Sequence, residues 1–405
     1  MRKNYKKMLI VIISFALLNI INIKAFAEGN TQDSFSIGKQ IIQEYYIDDV
    51  PESKLNAAKD MDSLVTSLND PYSTYFTEKQ YNDFVDSINN TFSGIGIIID
   101  KTTEGIKVVS VFDKTPAQVA GIKTGDIIAK ADGHELSGLS TEEAVNYIKG
   151  PSGTKVNLEI KRGGAVISFD VERKDIVLPT VEGEILDNHI GYIKISSFGA
   201  KTSEEFGNVL TELKKSGPDC FIIDLRNNGG GYMNVAFDIA GYFIGDNVVL
   251  KTQTKTGQSV NYNATKQKET IDKPVIYLIN RYSASASEIL AAAVKDYKKA
   301  FFIGEKTYGK GVAQSIFTLP DNSYLKLTTL RFVSPFGNQI NKAGITPDME
   351  IKDDTAQNID SLKAARILFN NISKNTDKNE QAELNFAGIA TMFYLIRDRL
   401  MPSIF

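Results

Sequence analysis

Three hydrophobic rhythms succeed one another along the chain. Between residues 35 and 90, apolar side chains recur at helical spacing, as Ile37, Ile41, Ile42 and Tyr45 and then Leu55, Met61, Leu64 and Leu68. This predicts a small helical region, closed by the turn Asn69-Asp70-Pro71-Tyr72-Ser73 and packed against a neighbouring domain without a chemical role. From Phe92 the period shortens. Ile95–Ile99, Ile106–Val111, Ile127–Lys130 and Val156–Lys161 read as short strands, with one helix from about Thr141 to Lys149. Beyond Val177 the two patterns alternate. Strand-like runs at Ile190–Ile195, Cys220–Leu225, Val275–Ile279 and Ala300–Ile303 are separated by helical stretches near Ser203–Lys215, Tyr232–Ile244 and Ser287–Tyr297.

Strand-helix-strand order implies an α/β core with parallel strands, whose sites lie at the strand C-terminal ends. Two such ends carry unusual sequences, Asp224-Leu225-Arg226-Asn227-Asn228-Gly229-Gly230-Gly231 and Asn280 through Glu288, and they are expected to lie close in space. Val312–Leu319 and Tyr324–Val333 read as further strands joined by a turn at Pro320-Asp321-Asn322. From Asp360 to about Met401 two amphipathic stretches flank a polar break at Ser373–Gln381 and read as a docking or homodimer surface.

A chain of 405 residues with 42% hydrophobic content can support two or three cored domains. Its formal net charge of -3 offers no basic footprint for nucleic acid, so proteins or peptides are the expected partners. At the N-terminus, Arg2, Lys3, Lys6 and Lys7 precede an apolar run from Met8 to Ile23 and the small-x-small site Ala25-Phe26-Ala27, as in an export signal. The chain is expected outside the cytoplasm. It is either secreted after cleavage or held on the outer side of the cytoplasmic membrane by the uncleaved run. Cys220 stands alone, in an apolar strand where a buried thiol is harmless.

Only two histidines are present, His134 and His189, and neither lies near a serine in a strand-to-helix turn. A Ser-His-Asp triad and the usual Cys/His zinc sites are therefore disfavoured, and no metal or cofactor is expected. The run Arg281-Tyr282-Ser283-Ala284-Ser285-Ala286-Ser287-Glu288 and the lysine of Gly309-Lys310-Gly311 suggest instead a serine activated by a lysine. A serine at a helix start meets unpaired backbone N–H groups, and the three glycines at 229 to 231 can bring bare amides to the same place. Lysine acts as a base only when neutral, which burial favours, and Tyr308, Val312 and Ala313 are apolar neighbours of Lys310. Gln314 could hold the neutral amine by hydrogen bonding. Competing readings stand beside these. Ser285-Ala286-Ser287-Glu288 is also a capping box, with Glu288 as the helix-dipole partner. The residues alone do not choose among Ser283, Ser285 and Ser287, and Lys306 is a rival base. Gly304 through Lys310 fits a phosphate loop except that Gly311 replaces its final Ser/Thr, and the segment that follows is strand-like. Arg226 reads as an ion-pair or loop-holding residue.

The motifs Phe92-Ser93-Gly94-Ile95-Gly96, Thr115-Pro116-Ala117, Gly121 through Ile128, Asp132-Gly133 and Lys149 through Thr154 occur in the order seen in PDZ domains of bacterial proteases, which this segment resembles. That resemblance implies a domain over 92–174 that captures peptide ends. Gly94, Ile95 and Gly96 would hold the carboxylate, with Ala144 and Ile148 as groove walls. With the Asp70-Pro71-Tyr72-Ser73 turn, Asp224 through Gly231, Ser283 through Glu288, Gly304 through Gln314 and Gly344-Ile345-Thr346-Pro347-Asp348, the whole resembles the C-terminal processing peptidases. Those are Ser-Lys serine endopeptidases whose nucleophile and base lie 25 residues apart, the interval from Ser285 to Lys310. The resemblance implies Ser285 as nucleophile, Lys310 as base, Gln314 as the residue positioning it, and the backbone amides of Gly230 and Ala286 as the oxyanion hole. It further implies a multidomain α/β fold with a catalytic core of ClpP/crotonase-like type and activity gated by PDZ movement. The expected organisation is a signal over 1–27, a helical region over 28–91, the PDZ domain over 92–174, the core over 175–350 and a helical tail over 351–405. The family often has glycine or a small residue where Tyr282 stands. The rival reading is a catalytically silent PDZ scaffold that binds peptides without cutting them.

Overall fold

The computed structural model of the chain describes residues 20–22, 33–187, 189–352 and 359–375. Two compact units emerge, one spanning Asn90–Leu178 and the other formed by the chain on either side of it.

In the Asn90–Leu178 unit, Ile97–Thr102, Gly105–Val111, Ile127–Ala131, Lys155–Arg162 and Ala165–Glu172 form an antiparallel sheet in that order. Period-2 alternation turns Val156, Leu158 and Ile160 inward, where they meet Ile106, Val108 and Ile128. The strand Ala165–Glu172 escaped the sequence reading. It is the outer strand of this sheet, where Ile167 and Phe169 are half-buried and Val171 is buried, alternating with Ser168, Asp170 and Glu172. Thr91–Gly94 and Lys174–Val177, where the chain enters and leaves, pair antiparallel with Gly94 opposite Lys174.

The second unit is built on a sheet ordered Val181–Leu186, Ile190–Ile195, Cys220–Asp224, Val275–Ile279, Phe301–Gly304 and Met349–Glu350. Its first pair is antiparallel and the remainder are parallel. Both faces are covered, which explains why Cys220–Asp224 and Val275–Ile279 are buried at every position. Phe221, Ile223, Val275, Tyr277 and Ile279 face the helices Thr202–Lys215, Met233–Ile244 and Ala286–Asp296. Cys220, Ile222, Ile276 and Leu278 face the opposite way, onto Ala364, Ala365, Leu368 and Phe369 of the helix Ile359–Asn375. The first stretch of the tail, expected as a docking or dimer surface, therefore spends its apolar face on the chain's own sheet. The second stretch lies outside the described residues.

A separate antiparallel sheet runs Val312–Thr318, Tyr324–Val333, Val248–Thr254 and Ser259–Asn263. Thr74–Phe76 adds to Tyr324–Val333, and Ile20–Asn22 lies parallel to Val312–Thr318 at the edge. The hairpin of Val248–Thr254 and Ser259–Asn263 was not expected from the sequence, because its second strand is polar and half-exposed. Leu325 and Leu327 of the long strand meet Phe317, Leu319 and the N-terminal helices Ser34–Tyr45 and Met61–Thr66, in a core that holds Ile37, Ile41, Ile42 and Leu64. The rest of the export-signal sequence lies outside the described residues. No described helix is long and apolar enough to cross a membrane.

Candidate active site

Cys220–Asp224 and Val275–Ile279 are parallel neighbours with Asp224 opposite Leu278, so the loops that follow leave the sheet side by side. Hydrogen bonds tie those loops together. The Asn227 N–H donates to Asn280 Oδ1 at 2.9 Å, and Asn280 Nδ2 returns a bond to Asn227 Oδ1 at 2.8 Å. The Ala284 N–H reaches the Asn228 carbonyl at 3.0 Å. Arg226 is buried against Asp224, its Nε 2.9 Å from Oδ1, and Nη1 donates to the Ser361 hydroxyl at 2.7 Å, so it holds the loop and the C-terminal helix in one network.

The three serines part company here. Ser283 and Ser287 are fully buried, and their hydroxyls donate to the carbonyls of Leu225 at 2.8 Å and Asn228 at 2.9 Å. Ser285 is half-buried and lines a cavity of about 320 Å³. Its backbone is strained, with φ 57° and ψ -115°, a conformation that costs a β-carbon-bearing residue about 1–3 kcal/mol. Such a turn from strand to helix pushes the side chain outward. Ser285 and Glu288 stand in the arrangement of a capping box, yet only the glutamate arm is a hydrogen bond: Ser285 N–H donates to Glu288 Oε2 at 3.0 Å, while the serine hydroxyl makes no cap bond.

Glu288 does far more than cap. Fully buried, it also accepts the Thr307 hydroxyl at 2.6 Å, the Gly309 N–H at 2.7 Å and the Lys310 N–H at 2.8 Å. One carboxylate thus fastens the serine turn to the lysine loop. Sequence reasoning saw only the three-residue spacing to Ser285; the partners 19 to 22 residues away carry no local signal.

Lys310 lines the same cavity as Ser285, whereas Lys306 is exposed outside it. Burial, then the positive charge of Lys326, bring its ammonium down to about 8, against the opposing pull of Asp70 and Glu288. Its Nζ sits 4.8 Å from the centre of the Tyr72 ring. Tyr72 belongs to the turn that the sequence reading assigned to packing. Burial and the neighbouring Tyr308 hydroxyl push its phenol up to about 12. The helix Glu78–Ile88 was likewise taken as packing, yet Phe84, Ser87 and Ile88 line the cavity.

The remaining expected residues fall out unevenly. Gln314 lines the cavity, but its amide nitrogen donates to Thr328 Oγ1 at 3.2 Å and no hydrogen bond joins it to Lys310. The Gly230 N–H, expected in the oxyanion hole, is instead donated to Asn228 Oδ1 at 2.9 Å. Ala286 N lies 3.0 Å from where a Gly230 β-carbon would be, so the two glycine and alanine backbones do face each other. That position requires glycine: φ is +105°, and a β-carbon would stand 2.8 Å from the Ala284 carbonyl and from Ser285 Cβ.

In the other unit Gly94 ends the strand Thr91–Gly94, and Ile95 and Gly96 link it to the first strand of the sheet. Ile95 is buried and its carbonyl accepts the Ala117 N–H at 2.8 Å. Ala144 and Ile148, expected as groove walls, are core residues. Their i, i+4 spacing on the helix Thr141–Ile148 turns both toward Ile95 and Ile106, leaving them 0% and 4% exposed. Among the described residues no cluster of histidine, cysteine and carboxylate side chains is placed to hold a metal ion.

Two family models match the chain: peptidase family S41 over residues 189–351 and a PDZ domain over 93–172. The carboxy-terminal processing protease CtpA of Bacillus subtilis is 34% identical over 368 residues, covering 86% of this chain and 78% of that protein. CtpB of the same organism is 34% identical over 326 residues, covering 79% and 68%. The fold resembles that of the photosystem II D1 C-terminal processing protease, with a TM-score of 0.51 and 24% identity over 79% of this chain and 92% of that one. The chain belongs to the carboxy-terminal processing proteases of peptidase family S41, serine proteases that carry a PDZ domain and act on protein or peptide substrates.

Proposed function

We propose that the Ser285 hydroxyl is the nucleophile of this protease and the Lys310 amine its general base. One observation carries the reading: Ser285 is the only one of the three serines that lines the cavity, and Lys310 lines it too. The neutral amine takes the hydroxyl proton as Oγ attacks the scissile carbonyl. The same proton passes to the leaving amine, giving an acyl-enzyme and the first product. A water then gives its proton to Lys310 and attacks the ester, and the lysine passes that proton to the departing Ser285 oxygen, releasing the acid and restoring the serine and the neutral amine. The oxyanion is stabilised by the Ala286 N–H and by the Gly230 N–H once the latter leaves Asn228. Gln314 steadies the amine from its place on the cavity wall.

The PDZ unit captures an extended peptide end at the Gly94–Gly96 segment. Export suits the chain's cationic start and apolar run, and the enzyme works outside the cytoplasm, secreted or attached to the outer side of the membrane. Cleavage after Ala27 would remove the Ile20–Asn22 strand from its sheet edge.

Incubating the purified protein with an unstructured protein, beside Ser285→Ala and Lys310→Ala, tests the assignment. The wild type should yield fragments and both variants none. Equal fragment production by all three would remove both residues from the reaction.

A further inference from the structure

Lys326 enters the chemistry described above only through the charge that helps depress Lys310, yet it lines the same cavity as Ser285 and Lys310. It lies on Tyr324–Val333 between Leu325 and Leu327, which are fully buried on the opposite side of the strand. Alternation therefore sends the lysine toward the cavity. There its ammonium stands 4.7 Å from the Phe84 ring centre and 5.3 Å from that of Phe76, two rings stacked 5.3 Å apart. Aromatic faces attract a cation but do not neutralise it. Among the described residues, Asp70 is the carboxylate whose field raises the proton affinity of Lys326. Its oxygens are engaged by the Tyr72 N–H at 3.0 Å and the Ser73 hydroxyl at 2.6 Å, and it forms no ion pair with the lysine. A lysine ordinarily extends its charge into water. Here a largely buried cation is held by aromatic rings, facing a cavity into which substrate must enter.

We propose that the Lys326 ammonium is a substrate-recognition site that binds a carboxylate of the bound peptide, favouring cleavage near an acidic side chain or near the C-terminal carboxylate. The proposal rests on this cavity being the catalytic one. With Lys310 neutral during the reaction, Lys326 is the cation the substrate meets, and a low-dielectric wall strengthens its attraction for an anion. Burial lowers its proton affinity and Asp70 opposes this, so an incoming carboxylate would favour the charged form further.

The test starts from a peptide with one acidic residue near its scissile bond, chosen from fragments the wild type makes of an unstructured protein. One twin carries the corresponding amide side chain, and a second carries an amidated C-terminus. Wild-type kcat/KM should fall about 10-fold to 100-fold on one twin, the loss of a charged hydrogen bond, and the affected twin identifies which carboxylate is bound. Lys326→Met should cut the acid and amide forms equally, whereas Lys326→Arg should keep the preference. Equal wild-type rates on all three peptides would overturn the proposal without recourse to any variant, as would a preference that survives in Lys326→Met. Uniform loss in Lys326→Met, with the acid limb of the pH profile moved to higher pH, would also overturn it and assign the residue to the tuning of Lys310. If Ser285→Ala made the same fragments as wild type, the catalytic reading itself would fall, taking this proposal with it.

Discussion

Replacing Glu288 by glutamine probes the link between the two reactive loops, because the change keeps the shape of the side chain and removes its charge. In the native site Oε1 accepts Thr307 and Gly309, and Oε2 accepts Ser285 and Lys310. The glutamine is best accommodated with its oxygen toward Ser285 and Lys310 and its amino group toward Thr307, whose hydroxyl can turn to accept. The Gly309 N–H then faces a donor and is left unpaired, costing about 1–3 kcal/mol, while three bonds change from charged to neutral at about 1 kcal/mol each. A neutral amide is cheaper to bury than a carboxylate and offsets roughly 2 kcal/mol of this. The expected net loss is about 2–4 kcal/mol, a fall in Tm of roughly 5–15 °C for a unit of this size. Activity should change in a second, separable way. The Glu288 charge raises the proton affinity of Lys310, so its removal should move the acid limb of kcat/KM to lower pH even as the maximum falls. Thermal unfolding and a pH–rate profile of Glu288→Gln give both readouts. A Tm within 2 °C of wild type, together with an unmoved limb, would refute the reasoning.

Four further outcomes are expected. Wild-type kcat/KM should rise with pH through about 8, as Lys310 loses its proton, and a flat profile between pH 6 and 9 would exclude it as the base. Because burial depresses the folded-state value below the unfolded one, Lys310→Met should stabilise the fold by about 2–3 kcal/mol at pH 7. That gain should shrink as pH rises from about 8 toward about 10.4, where the unfolded lysine also becomes neutral, a trend that denaturant titrations at several pH values would show. Gly230→Ala forces a β-carbon against Ala284 and Ser285 and should lower kcat/KM by about 100-fold; near-normal turnover would mean the turn yields freely. Phe369→Ala should cost about 3–5 kcal/mol in urea unfolding, since this ring is fully buried against the catalytic sheet, and a loss under 1 kcal/mol would show that the helix contributes little.

Much of the architecture was legible because it rests on local periodicity. The helices Thr202–Lys215, Met233–Ile244 and Ala286–Asp296 and the strands Cys220–Asp224 and Val275–Ile279 lie within a residue or two of their predicted bounds. Their apolar runs or stripes are long and uninterrupted. The strand Ser259–Asn263 was not legible, because it is polar and exposed along most of its length and is held by its partner's backbone, whereas Ala165–Glu172 carried the period-2 signal in Ile167, Phe169 and Val171 and was missed. Ala144 and Ile148, which the PDZ resemblance implied as groove walls, pack into the core of their unit, a contact that a family likeness carries no information about.

The sequence by itself determined the α/β order, the family, and a short list of serines and lysines at two strand ends. Family spacing pointed to Ser285, and the tertiary structure supplied a physical ground for setting it apart from Ser283 and Ser287, since burial and the carbonyls of Leu225 and Asn228 consume the other two hydroxyls. Only it turned Glu288 from a helix cap into the bond between two loops, brought Phe84 and Lys326 from separate segments to one cavity, and set the Tyr72 ring against Lys310. The physical reason is range. Helix and strand patterns are written over a few neighbouring residues, whereas burial, charge proximity and hydrogen-bond geometry at a site arise between residues far apart in the chain.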